Sequence, residues 1–245
     1  MTETPSGRGE WAVVTGANRG LGRAVAEALG RFGFRVLVGG RDRAGGESVV
    51  AAIREPGGAA EFCPLDVTRE DDLARLGARV RESGVPVAVL VNNAGIYPES
   101  PRSHGPGVDP DPLRVSPLVL VESFRINAVG AVRVIQVLAP CFRAGSRILN
   151  VSSQMASLSR MDGGSLGYRM SKTALNAVTR VFAESFADRG IRVNSVSPGW
   201  VRTDMGGPSA PRSIEEGIDT LVWMATDPEF HESGFFWQDR RKIDW

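Results

Sequence analysis

The strongest constraint on the fold is the order in which two hydrophobic patterns alternate. Short continuous runs rich in Val and Ile occupy residues 11–15, 34–39, 59–64, 87–92, 147–152 and 191–197. Between and after them lie longer segments with apolar residues at helical spacing, over residues 21–32, 44–54, 70–82, 118–142, 166–188 and 214–225. A strand that is apolar throughout, rather than at every second residue, is buried on both faces and needs helices above and below it. Repeated βα units of this kind build a parallel sheet. The expectation is an α/β fold, a single doubly wound parallel sheet of about seven strands with helices on both faces, counting a weaker strand at residues 234–237.

A chain of 245 residues suits one core of this type, because single cores stop growing at about 250–300 residues. We therefore expect one domain over residues 10–245, behind a flexible N-terminus over residues 1–9. The 29 Lys and Arg nearly cancel the 28 Asp and Glu, so no global field attracts nucleic acid or an anionic membrane. Residues 1–7 carry no basic and apolar leader, and no run reaches the roughly 20 apolar residues of a membrane span. Together these predict a cytoplasmic protein with no nucleic-acid or membrane partner. Cys63 and Cys141 are far apart and read as inert thiols, and His104 and His231 lack ligand-spaced neighbours, so no metal is expected. Two loops stand out: residues 98–117, of a length usual for functional excursions, and residues 206–211.

Ligands of open parallel sheets bind beyond the carboxyl ends of the strands, so the residues after each strand matter most. After the first comes Thr15-Gly16-Ala17-Asn18-Arg19-Gly20-Leu21-Gly22, leading into a helix. Glycines here let the backbone turn sharply and approach a pyrophosphate, whose charge the free N–H groups of a helix N-terminus stabilise. The bland alternative is a glycine turn needed only for helix–sheet packing. The TGxxxGxG spacing resembles that of the short-chain dehydrogenase/reductase family. Membership implies a Rossmann-type fold and a nicotinamide dinucleotide cofactor contacted by Gly16, Asn18, Arg19, Gly20, Leu21 and Gly22.

The second strand ends Val38-Gly39-Gly40-Arg41, without the acid that usually accepts from the ribose 2′-OH of NAD. Arg41 can pair with a 2′-phosphate, and Arg19 adds a second cation, which favours NADP(H). Asp42 is the rival: it either serves an NAD ribose or caps the next helix. Asp66-Val67 and Asn92-Asn93-Ala94-Gly95 follow the third and fourth strands and match family motifs at the adenine and along the cofactor floor. Without the resemblance they read as a helix cap and turn residues. Pro198-Gly199 after the sixth strand matches a motif beside the nicotinamide, with Val201 and Thr203 close behind.

Tyr168 and Lys172 stand at i and i+4, on one helix face one turn apart. A lone pair of this kind is usually a surface contact. A tyrosine ordinarily titrates near pH ~10 and becomes a useful proton donor when a neighbouring cation stabilises its phenolate. The resemblance makes Tyr168 the general acid/base and Lys172 its activating cation, both also touching cofactor, and assigns Ser153 to orient the substrate oxygen. Ser153 precedes Tyr168 by slightly more than is usual in the family, the excess falling in the glycine-rich turn at residues 162–165. Asn127 matches the fourth catalytic position, which holds a water for proton relay. Its alternatives are a solvent-facing side chain or one filling a backbone gap.

Gln154, Met155, Met161, Tyr97 and Trp200 adjoin these motifs and form a candidate substrate wall with Ser153 and Tyr168, or else pack loops. The tail after Gly199 resembles the carbonyl-reductase-like branch, implying reduction of a ketone, aldehyde or quinone. A catalytically idle NADPH-binding regulator is the alternative, countered by the complete Asn127, Ser153, Tyr168 and Lys172 set. A dehalogenase-like lyase would lack the glycine loop. The resemblance also implies a homo-oligomer, a dimer or tetramer, acting on a small-molecule substrate.

Overall fold

The computed structural model describes residues 9–100 and 109–245. One sheet contains β1 (Trp11–Thr15), β2 (Arg35–Gly40), β3 (Ala59–Pro64), β4 (Val87–Asn92), β5 (Phe142–Val151), β6 (Arg192–Val196), β7 (Phe236–Gln238) and β8 (Arg241–Ile243). Their order is β3-β2-β1-β4-β5-β6-β7-β8. Helices α1 (Gly20–Arg31), α2 (Arg43–Arg54), α3 (Glu70–Glu82), α4 (Pro117–Phe124), α5 (Gly130–Leu138), α6 (Leu166–Ser185) and α7 (Ile214–Thr226) flank it. Residues 1–8 of the expected flexible N-terminus, and residues 101–108 of the long loop, lie outside the described residues. Gly9 is tied down, its N–H donating to Gly33 O at 3.0 Å.

Side chains of β1 divide by parity, as a strand requires. Ala12 and Val14 pack with α1, α2 and α7, whereas Trp11 and Val13 pack with α3, α5 and the end of α6. Both faces are therefore buried, which is why the strands read as continuous apolar runs. Strand order reverses between β1 and β4, and the crevice at their carboxyl ends is the natural ligand site of such a sheet.

Three expectations need correction. The sheet has an eighth strand, and β8 pairs with β7 antiparallel. Asp239 and Arg240 link them with φ of 50° and 56°, the mirror-image turn that matches strand twist but normally takes Asn-Gly. Contacts with α7 hold this turn: Arg240 N–H donates to Thr220 Oγ1 at 3.0 Å and its Nε to Asp219 at 2.7 Å. The helix expected over 118–142 is interrupted, since a π-helical turn at Arg125–Val129 separates α4 from α5. Third, that helix stops at Leu138, where Pro140 offers no N–H and a 3₁₀ turn intervenes. β5 accordingly begins at Phe142, ahead of the expected residue 147, and its register shifts opposite Val87 and Val89. Among the described residues, no helix is long and apolar enough to cross a membrane.

Candidate active site

The glycine loop and the segment after β4 are stitched together at the switch point. Asn93 Nδ2 donates to Thr15 O (2.9 Å) and Gly16 O (3.1 Å), while Thr15 Oγ1 accepts from the N–H groups of Asn93 and Ala94, each at 3.0 Å. A Cβ at Gly22 would lie 2.4 Å from both Asn93 Nδ2 and Gly16 O, so this crossing admits no side chain. Helix α1 opens at Arg19 with neither a side-chain cap nor an acidic residue in its first turn. By contrast α2, α4 and α7 are capped by Asp42, Ser116 and Ser213. The N-terminus of α1 is left able to receive an anion, and its surroundings fit a dinucleotide phosphate.

Asp42 accepts from Ala44 N–H (3.1 Å) and Gly45 N–H (3.2 Å). It caps α2, and exposed Arg41 stands beside it at the end of β2. Asn18 lies over the same strand end, since a Cβ on Gly40 would stand 2.7 Å from its Oδ1. Arg19, also exposed, pairs with Asp204 at 3.3 Å. Burial works to raise the Asp66 carboxyl, but hydrogen bonds from Thr68 and the charges of Arg41 and Arg125 outweigh it and hold the group below its ordinary range. Val67 and Val201 are packing residues: Val67 seats against Gly130 and Val201 against Gly217 of α7. Ser197 Oγ accepts from Gln154 N–H (3.1 Å) and Gly199 N–H (3.2 Å), fixing the Pro198-Gly199 bend against the segment after β5. Thr203 Oγ1 accepts from Gly206 N–H at 3.1 Å. Its methyl faces Gly20 across the loop after β6.

At the other end of the crevice, Tyr168 and Lys172 are 8% and 4% exposed, which rules out an ordinary surface pair. Lys172 Nζ lies 5.8 Å from the Tyr168 ring centre and donates to Val151 O at 2.7 Å. Burial pushes Lys172 down to about 8. It pushes Tyr168 up to about 12, against a hydrogen bond with the Ser153 hydroxyl. The longer spacing between Ser153 and Tyr168 therefore leaves them in contact, and the extra turn is anchored by Ser165 N–H on Pro110 O at 3.0 Å.

Asn127 sits in the π turn and is buried. Its Oδ1 accepts from Ile96 N–H (2.8 Å), and its Nδ2 donates to Ile96 O and Ser171 Oγ, each at 2.9 Å. Of the alternatives left open by sequence, solvent exposure is excluded: the side chain satisfies the backbone of the neighbouring loop. Single π turns inside α-helices are frequent at functional sites. A Cβ on Gly95 would lie 3.0 Å from Asn127 Oδ1 and 3.4 Å from Lys172 Nζ, so the missing side chain bares the space before the ammonium.

Of the candidate substrate wall, the Tyr97 ring stacks on Tyr168 with centres 4.2 Å apart. Met155 and Met161 are gathered by Arg169, whose Nη1 reaches Met155 O (3.4 Å) and Met161 Sδ (3.7 Å). Trp200 and Gln154 are exposed, and Trp200 Nε1 donates to Gly206 O at 2.7 Å. Arg169, Ser165, Ser171 and Glu99 escaped the sequence reading. Nothing in their spacing marks them, because each acts through a contact made by folding.

Fold and site together define a Rossmann-type α/β protein with a phosphate cradle and a buried Tyr/Lys pair on one crevice. The family model described as Enoyl-(Acyl carrier protein) reductase matches residues 16–227. Carbonyl reductase [NADPH] 1 of Oryctolagus cuniculus is 30% identical over 96% of this chain and 98% of its own. Protein FixR of Bradyrhizobium diazoefficiens is 35% identical over 94% of this chain and 81% of its own. The crystal structure of NADPH-bound carbonyl reductase from chicken fatty liver superposes with a TM-score of 0.83, at 25% identity, over 97% of this chain and all of the other. The chain belongs to the short-chain dehydrogenase/reductase family of oxidoreductases.

Proposed function

We propose that the protein is an NADPH-dependent carbonyl reductase in which Tyr168 is the general acid. The observation that carries this reading is that Asn127 and Lys172 face the space bared at Gly95, with the buried Tyr168 beside Lys172 and the Ser153 hydroxyl against Tyr168. When bound, the reduced nicotinamide supplies hydride to the carbonyl carbon. Ser153 Oγ orients the carbonyl oxygen, and Tyr168 delivers its phenolic proton to that oxygen as negative charge develops. Burial keeps Tyr168 protonated in the resting protein, so the donor is loaded before substrate arrives. Lys172, close behind, stabilises the phenolate left by that transfer and returns a proton. Both amide hydrogens of Asn127 are already used. Its free Oδ1 lone pair is what can hold the water that links Lys172 to solvent. In the alcohol-oxidising direction the same groups run in reverse.

Gly16, Asn18, Gly20, Leu21 and Gly22 would hold the pyrophosphate, Asp66 and the backbone of Val67 the adenine, and Asn93, Ala94, Gly95, Pro198, Gly199, Val201 and Thr203 the nicotinamide half. Arg41 and Arg19 would select the 2′-phosphate, a reading supported by the diversion of Asp42 into a cap and by the NADPH named for the rabbit relative. Tyr97, Met155, Met161 and Trp200 suit a hydrophobic carbonyl compound, with Gln154 at the rim. Exposed Leu118, Val121 and Phe124 on α4 and Val181 on α6 support a homo-oligomer.

Cofactor oxidation is followed optically with a panel of ketones, aldehydes and quinones. Wild type should turn over at least one class with NADPH, and Tyr168→Phe should lose about 10²–10⁴-fold in kcat. Undiminished turnover by Tyr168→Phe refutes the mechanism.

A further inference from the structure

The N-terminus of α6 is capped from outside the helix. Ser165 precedes it with φ of 51° and ψ of 46° and makes no side-chain cap. Its hydroxyl is instead bonded to the Tyr97 hydroxyl at 2.7 Å. The first-turn N–H groups therefore need another acceptor. Glu99 supplies it: one carboxylate oxygen accepts from Gly167 N–H at 2.6 Å and the other from Tyr168 N–H at 3.0 Å. The residue is 0% exposed. Gly167 is what admits it, because a Cβ there would lie 3.1 Å from Glu99 Oε1.

We propose that Glu99 is a positioning residue for Tyr168, acting as one jaw of a clamp formed by residues 96–99. The clamp grips the tyrosine at two points: Glu99 holds its backbone N–H, and Tyr97 stacks on its ring. The clamp is itself anchored, because Ile96 is bonded through both backbone groups to Asn127, which reaches Ser171 of α6. Backbone position and ring plane are thereby set from one short segment, and these two settings direct the phenol toward Ser153. Hydrogen bonds from backbone N–H to a charged acceptor are among the stronger neutral–ion contacts, and a buried one is shielded from competing water. Glu99 bonds to α6 rather than to the cofactor segment at residues 93–95, so its substitution is expected to lower kcat well before it lowers cofactor affinity.

This inference rests on Tyr168 being the general acid. Its test compares Glu99→Gln and Glu99→Leu with wild type for kcat, carbonyl KM and NADPH Kd, the last by fluorescence titration. Displacing a reacting group by about 1 Å costs about 10²-fold in rate. Glu99→Leu should therefore lose about 10–100-fold in kcat with NADPH Kd within about twofold, and Glu99→Gln, which keeps one acceptor oxygen, should fall between it and wild type. If Glu99→Leu does not fold, Glu99→Gln decides alone, with about threefold or greater loss in kcat at unchanged Kd as the supporting result. Unchanged kcat in the folded Glu99 variants overturns the proposal, as does a parallel loss of kcat and NADPH binding, which marks a merely structural cap. Tyr168→Phe separates the two readings. Full activity in that variant defeats the general-acid assignment itself, whereas an inactive Tyr168→Phe beside fully active Glu99 variants defeats only the clamp.

Discussion

Lys172→Met exchanges a buried ammonium for an apolar side chain of similar length, and its effect on stability can be worked from the structure. Burial lowers Lys172 from 10.5 to about 8, a difference worth about 3 kcal/mol at about 1.4 kcal/mol per pH unit. The unfolded chain holds this proton up to the ordinary lysine value, while the native protein releases it near pH 8. Between those values the unfolded state binds more protons, so native stability rises with pH there. Below pH 8 the wild type carries the whole penalty, and the methionine variant escapes it. The variant also loses the bond from Nζ to Val151 O, which offsets about 1–3 kcal/mol at every pH. The cleaner quantity is therefore the change with pH: the stability of the variant relative to wild type should fall by about 2 kcal/mol between pH 7 and about pH 9.5. Tyr168, raised to about 12, titrates above this window and is common to both proteins. Urea denaturation of the cofactor-free proteins at the two pH values measures it. A stability difference that does not change with pH refutes the argument that Lys172 is held as a desolvated cation. On the proposed mechanism the same variant should be inactive, having lost the charge that would stabilise the Tyr168 phenolate.

Cofactor choice and assembly give two further tests. Arg41→Ala should weaken NADPH by about 10–100-fold, the range of a lost charge-assisted phosphate contact, while leaving NADH nearly unchanged; equal effects on both cofactors would remove Arg41 from the 2′-phosphate site. Sedimentation equilibrium at micromolar concentration should show a dimer or tetramer that Val121→Glu weakens, because a charge placed on an apolar contact must be desolvated. A monomeric wild type defeats that reading.

Legibility followed the range over which each feature is decided. β3, β4 and α3 begin and end where the sequence pattern places them, because apolar runs and helical periodicity are local. Tyr168 and Lys172 were readable as neighbours for the same reason, since four residues make one helical turn. The interruption between α4 and α5 was not readable. A π turn is a change of hydrogen-bond register that residue types do not announce, and Asn127 within this one is bonded to Ile96, distant in sequence. β8 is not legible because Arg240 adopts left-handed backbone under the hold of α7, against the ordinary preference of that residue type.

The amino-acid order by itself determined the doubly wound layout, the glycine loop at its first junction and the identity of the tyrosine and lysine. Each is written in the spacing of nearby residues, where chain connectivity already limits the outcome. Only the tertiary structure decided which charges are buried and what they touch. It buried Lys172 beside Val151 and set Asp42 as the cap of α2. It also placed Glu99 under Tyr168, 69 residues away in sequence. Desolvation and hydrogen-bond geometry depend on atoms from separate elements meeting in space, and no local pattern records that meeting.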